Sequence, residues 1–298
     1  MYRLLLILTL IIASCSPTEQ TLPRATGSLE EIIFIVEDML WETAVKDMVS
    51  DVFAKPIEGL NQDEPYYKIV QVNHSEFKSI LKTHKQIIII GKNFTQSNQK
   101  NKWAKGQLVV QLNYIGSPAD LKQSLNKVKV IFSTNEINTI KRLLYSSSQK
   151  KLEQTVRDNF NIDVIIPEEY TAVIDSANIF WATYNPPRKE EIRNILVFSF
   201  KAGTKSLQQE VLSHTDRIFK EYLHGANKGS YVKIEPLYPP YFSHNIYRGL
   251  WKLENGFMGG PFLLKTYLKD DRIIVAVGVI FAPNSSKRSY VINLEAIL

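Results

Sequence analysis

Residues 246–281 read IYRGLWKLENGFMGGPFLLKTYLKDDRIIVAVGVIF. Two apolar, β-branched and aromatic runs, 246–253 and 262–268, flank Asn255-Gly256. That dipeptide tolerates the positive φ angles of a two-residue hairpin turn, so the runs are expected to pair as antiparallel arms. Asp270-Asp271 makes a second turn into the long apolar run 273–281. The stretch therefore predicts an antiparallel meander, and it sets the class of the C-terminal half.

Upstream of the meander, 195–200 reads as a buried strand, 206–223 as an amphipathic helix ended by Gly225, and 231–234 as a strand. Residues 179–184 open this half as a strand. The N-terminal half reads differently. Short continuous apolar runs at 31–36, 87–90 and 108–112 look like strands buried on both faces. Helices are expected at 43–54, where Val45, Met48, Val49, Val52 and Phe53 share a face, and at 75–83. Another begins at Ser117, which caps it with Pro118 at the first position and Asp120 in the first turn. Its pattern runs on to Phe160, with a break at 146–148. Residues 66–72 and 164–166 read as further strands, 94–106 as a basic loop, and 290–298 as a last strand or helix. The fold class is α/β or α+β with two sheet-and-helix units. They are an N-terminal α/β unit at 29–172 and a C-terminal α+β unit at 173–298, with the boundary at 170–178 and a single continuous sheet as the alternative. Strand, helix and strand recur over 33–69 and 197–233 with the same span, as two unrelated units or as a duplication.

The chain opens with an address. Arg3 precedes an apolar run, LLLILTLIIA at 4–13, which is too short for a spanning helix of about 20 residues. A charged leader, a short apolar run and a small-residue exit are the pattern of a secretory signal. Cys15, the only cysteine, follows directly. Ile12-Ala13-Ser14-Cys15 resembles the bacterial lipobox, and the resemblance implies cleavage before Cys15 and acylation of that residue with palmitate-type chains. Residues 1–15 are then the lipoprotein signal with its anchor cysteine, and 16–28, polar and containing Pro17, Pro23 and Gly27, a flexible tether. By resemblance to lipoprotein sorting rules, Ser16 after the cysteine implies an outer membrane, with the protein facing the periplasm.

With 298 residues, 44% of them hydrophobic, the chain can build a sizeable core and is not a disordered polymer. Its formal charge of +6 would suggest nucleic acid for an intracellular protein. For an envelope protein it suggests an anionic lipid or polymer instead, and no nucleic acid. With Cys15 acylated, no thiol remains for a disulfide, a cysteine metal site or thiol catalysis.

Motifs of catalysis are missing: no G-x-S-x-G, H-E-x-x-H, Walker sequence, G-x-G-x-x-G or EF-hand loop occurs. The five histidines, His74, His84, His214, His224 and His244, are scattered, and His84 continues an apolar stripe with Phe77, Ile80 and Leu81, as a buried hydrogen-bonded residue would. No cofactor or metal is implied. Ala202-Gly203-Thr204-Lys205-Ser206 reads as a capped turn. Lys100, Lys102 and Lys105 around Trp103 read as a solvated loop, with contact to anionic headgroups as the functional alternative.

One candidate surface stands out, in the meander itself. Arg248, Trp251, Met258, Gly259, Gly260 and Phe262, with Tyr231, are the expected ligand-binding residues. Glycines inside a strand mark a bulge or a close approach, Trp251 offers a flat apolar face and Arg248 a planar fork for carboxylate or phosphate. A regular strand puts Arg248 and Trp251 on opposite faces, so a shared groove requires a bulge or twist near Gly249. The alternative is a packed hairpin with Trp251 in the core.

Leu22-Pro23-Arg24, Lys82-Thr83-His84-Lys85, Trp103-Ala104, Gly229-Ser230-Tyr231, Arg248-Gly249-Leu250-Trp251, Met258-Gly259-Gly260-Pro261-Phe262 and Leu294-Glu295-Ala296-Ile297-Leu298 together carry a resemblance across the mature chain. It resembles a family of bacterial envelope lipoproteins, the domain of unknown function numbered 4837. The resemblance implies the lipid anchor and no particular activity or catalytic residue. The expected function is an anchored envelope lipoprotein that binds or assembles with a protein partner or an anionic envelope component. An envelope hydrolase or transferase with an unfamiliar site around His84 or Arg248 is the alternative, and convergence of acid, base and nucleophile separates the two.

Overall fold

The computed structural model describes residues 21–298; the signal segment and Cys15 lie outside the described residues. The chain divides into two compact units. The first takes residues up to Leu40 together with Val70–Gly116, and the second takes Trp41–Ile69 with Ser117–Leu298. The fold is mixed α/β with two sheets, as the hydrophobic pattern predicts. Among the described residues, no helix is long and apolar enough to cross a membrane.

The first unit is built on a five-stranded sheet ordered β2-β1-β3-β5-β4. β1 (Glu31–Ile35), β3 (Gln86–Gly91) and β5 (Leu108–Asn113) run parallel, with Ile33 opposite Ile87 and Ile87 opposite Val109. Their near-continuous apolar sequences suit central parallel strands covered on both faces. β2 (Lys68–Val72) lies beside β1. β4 (Ser97–Lys100) pairs antiparallel with β5, inside the segment expected to be a loop. Its side chains are polar, so no alternation betrays it; the strand exists because β5 offers an open edge. One face of the sheet packs Ile33, Ile35, Ile87 and Ile89 beneath Phe77, Leu81 and Trp103.

The helix expected over 75–83 is only a 3-10 turn, Ser79–Thr83, entered through a positive φ of 51° at Ser79. Ile80 is consequently exposed. The expected tether at 16–28 is docked over its described part. Ala25 N–H donates to the Lys105 carbonyl, and Thr26 exchanges bonds with Thr83 and Lys85.

The second unit has an eight-stranded sheet, β10-β11-β12-β13-β8-β7-β6, with β9 also paired to β11. Its strands are β6 (Thr171–Asp175), β7 (Ile179–Tyr184), β8 (Ile192–Lys201), β9 (Tyr231–Ile234), β10 (Tyr241–Ser243), β11 (Ile246–Glu254), β12 (Gly259–Lys269) and β13 (Arg272–Phe281). The meander β11-β12-β13 is as the sequence predicts, with Asn255 at φ 56° in the hairpin turn. Helices cover both faces. α1 (Lys46–Phe53) follows a π-helical turn at Trp41–Val45 and packs on α2 (Pro118–Ser146). α3 (Lys150–Phe160) and α5 (Arg288–Ile297) contribute Val156, Phe160, Val291 and Leu294 to one sheet face. α4 (Leu207–Tyr222), started by a Ser206–Gln209 capping box, contributes Val211, Ile218 and Phe219 to the other. Ile195 and Val197 therefore face one layer and Leu196 and Phe198 the other, which is why β8 reads as an unbroken apolar run.

Several expectations shift here. Residues 170–178 contain β6, the half-polar edge strand of this sheet. Residues 164–166 are buried but form no strand; Ile165 N–H instead donates to the Ile297 carbonyl. The two strand–helix–strand spans do not share a topology, because β1 and β2 are sheet neighbours whereas β9 pairs with β11 and not β8.

Two polar contacts hold α5 in place. Arg288 makes a bidentate pair with Glu136 of α2, both bonds 2.9 Å, with both side chains buried. Glu64 caps the start of α5 from far away in sequence, accepting from Lys287 N at 2.8 Å, Arg288 N at 2.7 Å and Ser286 Oγ at 2.5 Å. Burial pushes the Glu64 carboxyl up, but these donors outweigh it and hold it below the usual carboxylate range.

Candidate functional site

β11 and β12 keep an unbroken register from Ile246–Lys265 to Lys252–Gly259. No bulge occurs at Gly249, so strand alternation stands and Arg248 and Trp251 do not share a groove. Arg248 points toward α5, where its guanidinium donates to Glu295. Trp251 points the other way, into the layer beneath α4, and its indole Nε1 donates to the Ile280 carbonyl at 2.9 Å. Phe262 is fully buried in that layer, edge-on to Phe219. Tyr231 stays half-buried on β9 with Lys220 Nζ 4.8 Å from its ring centre. The glycines have a local reason. A Cβ on Gly260 would sit 2.2 Å from the Ile280 carbonyl oxygen and 3.3 Å from Trp251 Nε1, so glycine here admits the indole–carbonyl bond.

Two concavities meet at Trp251. One, of about 310 Å³, is lined by Leu250, Lys252, Gly259, Gly260 and Pro261, with Lys287 and Glu235 at its rim. The other, of about 290 Å³, opens where α4 stops. α4 covers the sheet as far as Leu223, and the sheet surface beyond it is left without a helix. Trp181 and Thr183 of β7, Asn194 of β8, Val279 and Phe281 of β13, and Trp251 and Met258 of the hairpin line this space. His224 stands at the helix end, with Nε2 3.1 Å from the Lys220 carbonyl.

The lining is mostly aromatic and aliphatic, with Thr183, Asn185, Asn194 and His224 as its polar members and no Asp, Glu, Lys or Arg. Its polar centre is Asn194. Strand pairing places Asn194 between Thr183 and Val279. The indole N–H of Trp181 donates to Asn194 Oδ1 at 2.9 Å. An indole can only donate, so the carboxamide oxygen must face Trp181 and the NH₂ group is turned away from it. Asn194 is 8% exposed, and among the described residues its Nδ2 has no hydrogen-bond partner. The site thus presents two unspent amide N–H donors in an aromatic chamber. From the sequence, Trp181, Asn194, His224 and Phe281 were not among the expected site residues. The available signal was Asn194, a lone carboxamide in phase with Leu196, Phe198 and Phe200 on the inward side of β8.

The remaining candidates serve the scaffold. His84 is 6% exposed, with Nε2 2.8 Å from Glu31 Oε1 and Nδ1 facing Gln86. Gly27, at φ +78°, lies directly against that imidazole. His214 stacks on Phe200 at 3.8 Å, and burial pushes its pKa down. Glu210 closes the 202–206 turn by accepting from Gly203 N and Lys205 N, both at 3.1 Å. Trp103 packs edge-on against Phe77, with Lys102 Nζ 4.5 Å from its ring centre. Among the described residues, no group of three or more His, Cys, Asp or Glu is placed to hold a metal ion.

Comparison with known proteins agrees with this division of the chain only in part. Residues 25–145 match the family described as Domain of unknown function (DUF8532). No curated protein matches the chain. Residues 148–298, which hold the eight-stranded sheet, α4, α5 and the aromatic cavity, match Domain of unknown function (DUF4837), and the chain belongs to that family.

Proposed function

We propose that the protein is a lipid-anchored binding module of the cell envelope, attached through Cys15, whose recognition element is the cavity between Trp181 and Trp251. The occupant is a neutral apolar group carrying a hydrogen-bond acceptor. The observation that carries this reading is Asn194, a nearly buried carboxamide with its Nδ2 unbonded, inside a lining without Asp, Glu, Lys or Arg. The Nδ2 donor is open to the cavity, so an acceptor on a ligand exchanges a contact with water for a bond sheltered from solvent. A space of about 290 Å³ takes roughly ten water-sized groups, enough for one aromatic ring with a short substituent. Catalysis finds less support. His224 is the one titratable side chain of the lining, no carboxylate, lysine, serine or cysteine lines the space beside it, and the Thr183 hydroxyl donates to the Arg193 carbonyl.

The test uses the full-length protein and a panel of neutral aromatic amides, with the matching carboxylates and hydrocarbons. Indole resonances of Trp181 and Trp251 report occupancy. The amides are expected to bind best, and Asn194→Leu to abolish their advantage over the hydrocarbons. The reading is overturned if no panel member shifts either indole, or if the Leu variant keeps the preference.

A further inference from the structure

The second concavity beside Trp251, of about 310 Å³, is built differently from the first and shares only Trp251 with it. Four segments meet around it: the loop carrying Asn61 and Gln62, the turn after β9 with Glu235 and Tyr238, the open end of the β11–β12 hairpin, and the approach to α5. The loop is fixed at both ends. Gly59, at φ +88°, lies against Arg248, where a Cβ would sit 2.6 Å from the backbone oxygen. Glu64 N–H donates to the Gln62 carbonyl at 2.8 Å, and the Glu64 carboxylate caps α5. Asn61 and Gln62 are thereby held at the cavity wall.

The floor is bare. Gly259 stands opposite Lys252 in the register, so a side chain here would rise on the face of Lys252, which also lines the cavity. Within 4 Å a Cβ at Gly259 would meet no side chain, only the Trp251 carbonyl oxygen at 3.1 Å and Lys252 Cα at 3.9 Å. Leu250 and Pro261, paired across the strands, supply an apolar patch beside it. The charges of the lining are already engaged. Lys252 Nζ lies 3.6 Å from Glu235 Oε2, and Lys287 Nζ donates to the Ala282 carbonyl at 2.7 Å and to the Ser285 carbonyl. What is unspent is neutral: among the described residues, the carboxamides of Asn61 and Gln62 and the Tyr238 hydroxyl have no hydrogen-bond partner.

We propose that this cavity is a binding site for a neutral saccharide ring. A pyranose has a CH face, which the Leu250–Pro261 patch and the Tyr238 ring can cover. Its adjacent hydroxyls each donate and accept. A carboxamide sets one acceptor beside two donors, and a phenol offers one of each, so Asn61, Gln62 and Tyr238 match such a diol where a rim of donors alone would not. The volume lies at the lower end of small-molecule sites and suits one ring.

Titration of the full-length protein with cellobiose, maltose and di-N-acetylchitobiose tests the site, followed by the carboxamide resonances of Asn61 and Gln62 and the backbone amide of Gly259. Tetraethylene glycol is the control, an uncharged chain without adjacent hydroxyls. At least one disaccharide should shift all three residues with a Kd in the millimolar range or below, and the glycol should not. Gly259→Leu puts a side chain on the floor and should weaken binding roughly tenfold or more. Gly259→Ala adds one carbon and should weaken it less. The Asn61→Leu/Gln62→Leu double variant, altered only at exposed positions, should lose the binding and decides the matter if Gly259→Leu does not fold. Asn194→Leu, in the other cavity, should leave it unchanged, so the two sites fail separately. The proposal is overturned if no disaccharide shifts these residues, if the glycol binds as well as the sugars, or if the double variant binds like the parent.

Discussion

The two faces of β11 are made by alternate residues of one strand and behave as different materials. Toward α4, Trp251 is 4% exposed and spends its one polar atom on a backbone carbonyl. Toward α5, Arg248 is held by Glu295, with Lys265 diagonally across the strand pair and its ammonium on the Glu295 backbone carbonyl. An indole needs one acceptor to be content in a dry layer. A guanidinium has five donors and a charge, and one carboxylate does not satisfy it. The first face therefore satisfies its indole within the layer, and the second keeps Arg248 Nε buried without a partner.

The largest effect should come from the apolar face. Trp251→Ala removes a buried ring and is expected to cost about 4 kcal/mol in denaturant unfolding. A loss under about 1 kcal/mol would mean that the indole is not the wedge between α4 and the hairpin. On the charged face the two partners should differ. Glu295→Gln leaves Arg248 without its paired carboxylate and is expected to cost about 3 kcal/mol. Arg248→Met leaves the Glu295 carboxylate with Lys265 as a neighbouring cation and should cost clearly less. Should Arg248→Met prove the more damaging, Lys265 does not stand in for Arg248 at Glu295.

The smallest effect is a pH dependence at the edge of this face, where Glu64 caps α5. Its folded-state pKa is depressed, so its contribution is complete above the unfolded carboxylate pKa of about 4.3 and is lost as pH falls through the lower folded value. A helix cap of this kind is worth about 1 kcal/mol. Hydrogen exchange in Arg288–Ile297 should quicken below pH 4, and Glu64→Gln should remove that pH dependence without changing the rest of the sheet.

What could be read from the residues themselves was local. Asn255-Gly256 announces its hairpin because few other residues accept the φ of 56° found there. Ser117-Pro118 announces the start of α2, and Ser206 with Gln209 the start of α4, because caps act within one turn. Arg248 and Trp251 fall on opposite faces by strand alternation alone. The misreadings have a common cause. β4 is an edge strand of polar side chains with no apolar period, β6 is a short edge strand exposed at alternate residues, and both form because a neighbour presents free backbone groups. The 75–83 segment has a helical stripe, yet Ser79 turns the chain the other way and Ile80 faces water.

The sequence by itself determined the class of the fold, the register of the meander and the sidedness of its strands, since each depends on neighbours a few residues away. Only the tertiary structure decided which groups meet at a distance. Asn194 joins Trp181 and Trp251 because β7, β8 and β11 lie under one end of α4. Arg288 meets Glu136, and Glu64 finds the start of α5, because packing brings together segments more than a hundred residues apart, and no spacing along the chain encodes that meeting.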